Sequence, residues 1–282
     1  GTSSEFNVHV SESILARVMI TVRTTPGAIP AFDVREVEAR LALAARRWDD
    51  DLKDALIETL GEAGGNELFR RFAGTLPAAY REDFTARAAV PDIEMMAQLS
   101  VAEPLGMSLY RPLEAEPGTL RFKLFHLGGP VTLSDSLPML ERMGLRVLDE
   151  RPHRVSPPDQ APIWLHDFGM QTSLADADID IHGLHAVFED AFGRIFRGEV
   201  ESDDFNRLVI AARMPAAQIV VLRAYAKYLR QIGFTLSQSF VEATLAANAG
   251  IAADLVALFR ARFDPEASGD GDGEAEARTR AI

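Results

Sequence analysis

The hydrophobic period of the chain changes twice, and this order constrains the fold more than any other feature. Apolar residues recur at three- and four-residue spacing before residue 104 and again from residue 181 onward, as in amphipathic helices. Between these regions the period shortens to two. Residues 119–127 read TLRFKLFHL, in which leucine and phenylalanine alternate with polar residues as in a half-buried strand. The sequence therefore predicts a strand-rich domain between two helical regions.

The order of elements inside the middle region narrows the fold further. The strand at 119–127 is followed by a helix at 133–143 and by strands at 145–151 and 163–171, and residues 107–113 offer a partner strand. This βαββ order is typical of ferredoxin-like sheets, in which helices cover one face of an antiparallel sheet. We predict an α+β fold, a ferredoxin-like antiparallel sheet with helices, flanked by α-helical regions.

The flanking regions have their own signals. Residues 14–24 predict a single strand without an obvious partner, and a capping-box-like start at Asp33 and Glu36 predicts one long helix that ends near Gly61. Shorter helices follow the Gly64-Gly65 pair, at 67–72, 77–87 and 91–99. The last helices are predicted at 186–196, 204–213, 215–232, 236–247 and 249–263. The remaining residues, 266–282, predict an acidic flexible linker.

Composition excludes several classes of function. The chain of 282 residues carries 29 Lys+Arg against 42 Asp+Glu, a net charge of −13 that would repel a nucleic-acid backbone. The absence of cysteine removes disulfides, thiolate nucleophiles and cysteine-ligated metals. Only three of the basic residues are lysines.

No apolar run reaches the roughly 18 residues that span a bilayer, so we expect no membrane contact and a cytoplasmic location. The chain starts at Gly1 instead of Met, so we expect either a part of a longer protein or a residue left by a tag.

The loop at 126–134 is the strongest candidate binding feature. It joins a strand end to a helix start, where glycines and free backbone N–H groups can approach a small carboxylate closely. We predict a possible effector-binding loop at Gly128, Gly129, Thr132 and Ser134. The alternative, a glycine turn that only reverses the chain, remains open.

The other chemical motifs are incomplete. His182 and His185 form an H-x-x-H motif after a run of aspartates, which could hold a divalent ion or could simply favour a helix dipole. The motif lacks the glutamate and the spacing of H-E-x-x-H, so we predict no metal site. His166 and Asp167 are neighbours on a strand and should point to opposite faces, which excludes a direct dyad. The glycine patterns of dinucleotide sites and P-loops do not occur, so we predict no catalytic or cofactor-binding residue.

Longer strings resemble one family, the large bacterial NAD-specific glutamate dehydrogenases. The strings are RFKL at 121–124, LSDSLPMLERMGLRVLDERP at 133–152, WLHDF at 164–168, FEDAF at 188–192, GEVESDDFNRL at 198–208, LRAYAKYLRQ at 222–231 and RFDP at 262–265. The similarity extends from about residue 14 to 265. It implies a segment upstream of the catalytic region, with the family's dinucleotide-binding domain and catalytic lysines outside this stretch.

The resemblance also implies a domain layout. Residues 1–30 would be the end of a preceding ACT-like domain, 31–104 a helical connector, 105–180 an ACT-like α/β domain, 181–265 a helical domain and 266–282 the linker. ACT-like domains often bind amino acids or form oligomer contacts. We therefore expect a regulatory or oligomerisation segment of a homo-oligomeric, NAD-dependent glutamate dehydrogenase, whose partners are the remaining domains of the enzyme and a small amino-acid effector.

Two other readings stay open at this point. The segment could be an autonomous amino-acid-binding module without enzymatic activity. The other, less favoured, interpretation is a metal-dependent hydrolase at His182 and His185.

Overall fold

A computed structural model describes residues 3–9, 17–23, 33–45, 47–112, 115–172 and 181–263. The chain divides near residue 50 into two compact units.

The first unit contains a β-hairpin and a helix. Strand β1 (Ser3–His9) pairs antiparallel with β2 (Arg17–Arg23), with Ser3 opposite Arg23. The strand predicted at 14–24 is therefore real over its described part, but the expectation that it has no partner is wrong. Helix α1 (Val34–Ala45) begins after Asp33, whose carboxylate accepts a hydrogen bond from the backbone N–H of Arg35 at 2.8 Å, as the start signal predicts.

The second unit opens with helices α2 (Trp48–Phe72), α3 (Ala78–Asp83) and α4 (Ala86–Gln98). The single helix predicted to run from 33 to 61 is thus two helices. Helix α2 bends at Gly61, where φ is +76°, and continues through the predicted break at Gly64-Gly65. A Cβ at Gly65 would lie 2.6 Å from the backbone nitrogen of Ile57, so the bend needs glycine at both places.

The sheet follows the predicted order of elements. Its strands are β3 (Leu105–Tyr110), β4 (Thr119–Leu127), β5 (Leu145–Val155) and β6 (Ile163–Thr172), and helix α5 (Leu133–Arg142) joins β4 to β5. The strands lie in the order β3-β4-β6-β5, and every neighbouring pair is antiparallel. Strand β6 therefore lies between β4 and β5, the split arrangement of a ferredoxin-like sheet. The predicted α+β class is confirmed.

One face of the sheet packs on the C-terminal helices. Leu120, Phe122 and Leu124 of β4 are fully buried and belong to one hydrophobic core with helix α6 (Ile181–Phe196). The ring of Phe122 lies 5.1 Å from that of Phe188 and 4.9 Å from that of Phe192, both edge-on. The core continues into a 3-10 turn (Asp204–Arg207) and helices α7 (Leu208–Ala211), α8 (Ala216–Gln231), α9 (Gln238–Ala247) and α10 (Ala249–Phe263).

The opposite face of the sheet is also covered, which the sequence did not predict. Helix α4 approaches β3 so closely that a Cβ at Gly106 would lie 2.7 Å from the sulfur of Met95. The ring of His153 on β5 contacts Tyr80 of α3 edge-on at 5.4 Å. Phe125 and Leu165, which project on this side, are fully buried. The sheet thus lies between two helical layers, whereas the prediction had helices on one face only.

Within the described residues, no single helix is both long and apolar enough to cross a bilayer. Helices α9 and α10 reach that length and apolarity only when taken together, and they are bent by 101° relative to each other.

The aromatic contact at Phe122 gives a direct test of the first layer. We expect Phe122→Ala to lower the free energy of unfolding by about 3–5 kcal/mol, because it leaves a cavity between β4 and α6. Val101→Ala, at a side chain that is 92% exposed, should change it by less than about 0.5 kcal/mol. Urea unfolding followed by circular dichroism measures both. Equal effects at the two positions would contradict the packing described above.

Candidate functional site

The predicted loop follows β4 and adopts a tight, internally bonded conformation. Gly128 has φ of +99°, and its N–H donates a hydrogen bond of 2.7 Å to the carbonyl of Pro162. The backbone N–H of Val131 donates to Nε2 of His166 at 3.2 Å, and Nδ1 of His126 lies 2.8 Å from the carbonyl oxygen of Gly129. The N–H groups of Gly128 and Val131 are therefore already bonded to acceptors within the protein.

The hydroxyl groups at the end of the loop form a local cluster. Thr132 donates from its hydroxyl to Oδ2 of Asp135 at 2.5 Å, and its oxygen lies 3.1 Å from Oγ of Ser134. All three side chains are exposed. A Cβ built at Gly128 or Gly129 meets no atom within 4 Å, so there is open space beside the backbone. The structure thus brings the four predicted residues together at the start of α5, and effector binding there stays a prediction.

His166 and Asp167 point to opposite faces of β6, as predicted. His166 lies on the α6 side, where Nδ1 is 2.8 Å from Oε1 of Glu150. Asp167 lies on the other side and accepts hydrogen bonds from Nε of Arg121 at 3.0 and 3.1 Å. The two side chains therefore belong to separate networks and form no dyad.

The candidate metal motif is only partly described. Among the described residues, no group of three or more histidine, aspartate or glutamate side chains could hold a metal ion. The acidic part of the motif lies outside the described residues, at Asp176, Asp178 and Asp180.

A cluster of buried polar side chains lies between α4 and the sheet, where the sequence predicted no functional site. Nζ of Lys123 on β4 lies 2.6 Å from Oδ2 of Asp92 on α4, and the two side chains are 7% and 4% exposed. Tyr80 of α3 donates its hydroxyl hydrogen to the same oxygen at 2.5 Å. The ammonium also lies 4.0 Å from the ring centre of Phe84 and 5.2 Å from that of Tyr110. This buried ion pair joins the helical layer to the sheet.

A second charged group lies beside it on the same face of the sheet. Arg121 contacts Asp167, which is fully buried, and reaches Oδ1 of Asp149 at 3.2 Å. The carboxylate of Asp149 lies over Gly169, where a Cβ would be 2.2 Å from Oδ2. The hydroxyl of Tyr110 is 3.3 Å from both carboxylate oxygens of Asp167. Register places Lys123 opposite Asp167, so the two groups are neighbours across β4 and β6.

Burial is the largest influence on the pKa of Asp92, Tyr80 and Tyr110. It raises the pKa of Asp92, although the Lys123 charge and the hydrogen bonds from Lys123 and Tyr80 oppose the shift. Burial also raises the pKa of Tyr80 and of Tyr110, and nearby carboxylates add to both shifts. The two phenols are therefore hydrogen-bond donors at neutral pH.

A cleft opens along this ion pair. Its volume is about 360 Å³. Its walls are mostly apolar and its polar groups come from α4, β3 and β4; the lining residues are Phe84, Ala88, Pro91, Asp92, Met95, Ser108, Tyr110, Lys123 and Phe125. This combination of apolar walls and a few convergent polar groups is typical of small-molecule sites.

The sequence did carry a signal for this second buried face. Strand β6 is apolar at Leu165 as well as at Phe168, which lie on opposite sides, and Phe125 interrupts the polar positions of β4. A strand that faces water on one side would not place large apolar residues there. The position of Asp92 inside a helix gave no comparable signal.

The ion pair leads to a test of the contact between helix and sheet. Asp92→Asn leaves the Lys123 ammonium buried without its counter-charge, and Lys123→Met leaves the carboxylate, so we expect each to lower the unfolding free energy by about 3–5 kcal/mol. The double variant should cost much less than the sum, because the two changes remove one interaction. Glu58→Gln is the control, since its pair with Arg87 is exposed and should contribute less than about 1 kcal/mol. Additive effects in urea unfolding would contradict a coupled pair.

His153 gives a pH-dependent test of the same layer. It is buried, and burial lowers its pKa, although Asp83 at 3.4 Å and Asp167 favour the charged ring. Lys123 and Arg151 oppose the charge. The folded protein therefore binds a proton less readily than the unfolded chain, whose histidine titrates at about 6.5, and stability is lost as the pH falls through that value.

We expect the urea midpoint of the protein to drop between neutral and mildly acidic pH by more than that of His153→Leu. Asp83→Asn should steepen the drop, because it removes the carboxylate that favours the charged ring. Identical pH profiles for the three proteins would show that His153 does not titrate in the way its burial implies.

Comparison with known proteins accounts for nearly the whole chain. Four family models, all of glutamate dehydrogenase, match it: the ACT2 domain at residues 1–49, helical motif 2 at 55–99, the ACT3 domain at 104–184 and helical motif 3 at 200–265. The sheet described above lies within the ACT3 match, and α4, which carries Asp92, lies within helical motif 2.

Individual relatives agree with the family models. NAD-specific glutamate dehydrogenases of Halomonas elongata, Pseudomonas aeruginosa and Mycobacterium tuberculosis are 43%, 40% and 35% identical over 94%, 92% and 95% of this chain. The chain spans only 16–17% of the length of these relatives. It therefore belongs to the large NAD-specific glutamate dehydrogenases and is built from ACT and helical-motif domains of that family.

Proposed function

We propose that this chain is a non-catalytic regulatory and oligomerisation segment of an NAD-dependent glutamate dehydrogenase. The whole enzyme converts L-glutamate and NAD to 2-oxoglutarate, ammonium and NADH in the cytoplasm, and NAD binds to domains beyond this segment. The segment's partners are the remaining domains of the enzyme within a homo-oligomer.

The observation that carries this proposal is the state of the three lysines. Lys123 is buried against Asp92, Lys227 pairs with Glu201, and Lys53 is exposed with its ammonium 5.9 Å from the ring centre of Phe69. Each lysine thus has a local contact, and none lies in a cleft as an unpaired base. This supports an architectural role better than a catalytic one, because Lys123 and Lys227 each use their charge in an ion pair with a local carboxylate.

The C-terminal helices supply a surface suited to assembly. Large apolar side chains are exposed on and between α8, α9 and α10: Val220, Tyr225, Tyr228, Ile232, Phe234, Leu236, Phe240, Ile251, Leu255 and Phe263. Exposed apolar surface of this kind marks protein contacts. Because the relatives are about six times longer than this chain, we assign the surface to contacts with the remaining domains of the same enzyme.

The second candidate is an autonomous amino-acid-binding module. The observation in its favour is the open space beside Gly128 and Gly129, where a small ligand could reach the backbone. In that case Gly129→Val should abolish an amino-acid binding signal measured by calorimetry.

Activity separates an architectural segment from a catalytic one. The purified chain, given L-glutamate and NAD, should produce no NADH above the buffer blank when absorbance is followed over time. A complete relative such as the Pseudomonas aeruginosa enzyme is the positive control under the same conditions. Glutamate-dependent NADH formation by the chain alone would sink the proposal.

A further inference from the structure

The cleft between α4 and the sheet contains a buried cation with unused hydrogen-bonding capacity. An ammonium has three N–H donors. Lys123 donates one to Asp92, and its other close neighbours are the faces of two rings, Phe84 and Tyr110. Among the described residues no second acceptor lies within hydrogen-bond distance of Nζ. The remaining donors are therefore available to an acceptor that enters the cleft.

Hydroxyl-bearing side chains lie beside the ammonium and can share an oxygen acceptor with it. The register of β3 and β4 places Ser108 directly opposite Lys123, and the hydroxyl-bearing Ser108 and Tyr110 both line the cleft. A carboxylate could accept hydrogen bonds from the ammonium and from a neighbouring hydroxyl at once. The Lys123 charge is shielded from water, with 7% of its side chain exposed, so such a contact is stronger than one at the surface.

The rest of the cleft fits an apolar group. Phe84 and Phe125 supply aromatic walls, and Ala88, Pro91 and Met95 supply aliphatic ones. The volume of about 360 Å³ lies near the lower end of known small-molecule sites, which begin at roughly 300 Å³. Both the lining and the size suit a branched-chain or phenyl group.

We propose that this cleft binds a small carboxylate with an apolar body, whose carboxylate is held by the Lys123 ammonium and whose body lies between α4 and the sheet. The ligand can be a simple carboxylic acid or an amino acid, since both carry this group. Oδ1 of Asp92 accepts no hydrogen bond from the described residues, so it is placed to receive the ammonium group of an amino acid. This ligand is the effector in the proposed regulatory role. Its biological purpose rests on that role, but its binding does not.

Calorimetry on the 282-residue chain tests the site with five probes: L-leucine, isocaproate, L-phenylalanine, hydrocinnamate and isoamylamine. The carboxylates should bind, and isoamylamine, which has an apolar body but no carboxylate, should not. Tighter binding of L-leucine than of isocaproate would show that Asp92 contacts the ammonium group of an amino acid. Tighter binding of isocaproate would identify the ligand as a simple carboxylic acid. Absence of a signal from all four carboxylates at millimolar concentration would overturn the proposal.

Two matched variants locate the signal. Ala88→Phe fills the cleft from an exposed position of α4 without removing a charge, and we expect it to weaken binding at least tenfold. Ala79→Phe makes the same change on an exposed position of α3 that does not line the cleft, and it should alter binding by less than twofold. Lys123→Met should abolish binding of the simple acids, with folding checked by circular dichroism.

Gly129→Val distinguishes the cleft from the predicted loop. Binding that survives Ala88→Phe but is lost in Gly129→Val would overturn the cleft and place the ligand at the loop. The assay for NADH formation is independent of these measurements. Absence of ligand binding in the cleft would not affect the proposed non-catalytic role. Turnover of glutamate by the chain would refute that role and would not affect the proposed binding site.

Discussion

The burial of β4 and β6 on both faces is the constraint on which the second unit depends. These two central strands have Phe122 and Phe168 against α6 on one side, and Phe125 and Leu165 under the α3–α4 layer on the other. A four-stranded antiparallel sheet usually buries one face and leaves the other to water. Here the helices before the strands pack on one face of the sheet and the helices after them pack on the other.

The two faces of the sheet are stabilised by different physics. The α6 face is a continuous hydrophobic core, in which the edge-on contacts of Phe122 with Phe188 and with Phe192 add a preferred ring geometry to apolar burial. The α4 face combines apolar burial with two ion pairs, Lys123 with Asp92 and Arg121 with Asp167. Charges lose hydration when they are buried, so these pairs add little net stability, whereas the loss of one partner leaves the other uncompensated.

The sequence was sufficient for the elements and the class of the fold but not for the layer on the α4 face. Alternation in residues 119–127 and the order of strands led to the sheet, because these signals are local. The predicted helix end near Gly61 agrees with the non-helical φ of +76° at that residue. The continuation of α2 through Gly64-Gly65 could not be predicted, because it depends on the packing of Gly65 against Ile57. The candidate loop could be predicted from its glycine turn. The cleft could not be predicted, because it forms only where α4 and β4 lie side by side.

The charged pairs explain how α4 finds one position on a sheet face that would otherwise accept several. An apolar helix on an apolar sheet can shift along it with small changes in buried area, because the hydrophobic effect is not directional. Asp92 pairs with Lys123 of β4, and a shift of α4 by one turn, about 5.4 Å, would separate the two side chains. The close approach at Gly106 adds a steric limit in the same place. We therefore interpret the buried pair as a determinant of register, and a cleft bounded by α4, β3 and β4 keeps its shape only while that register holds.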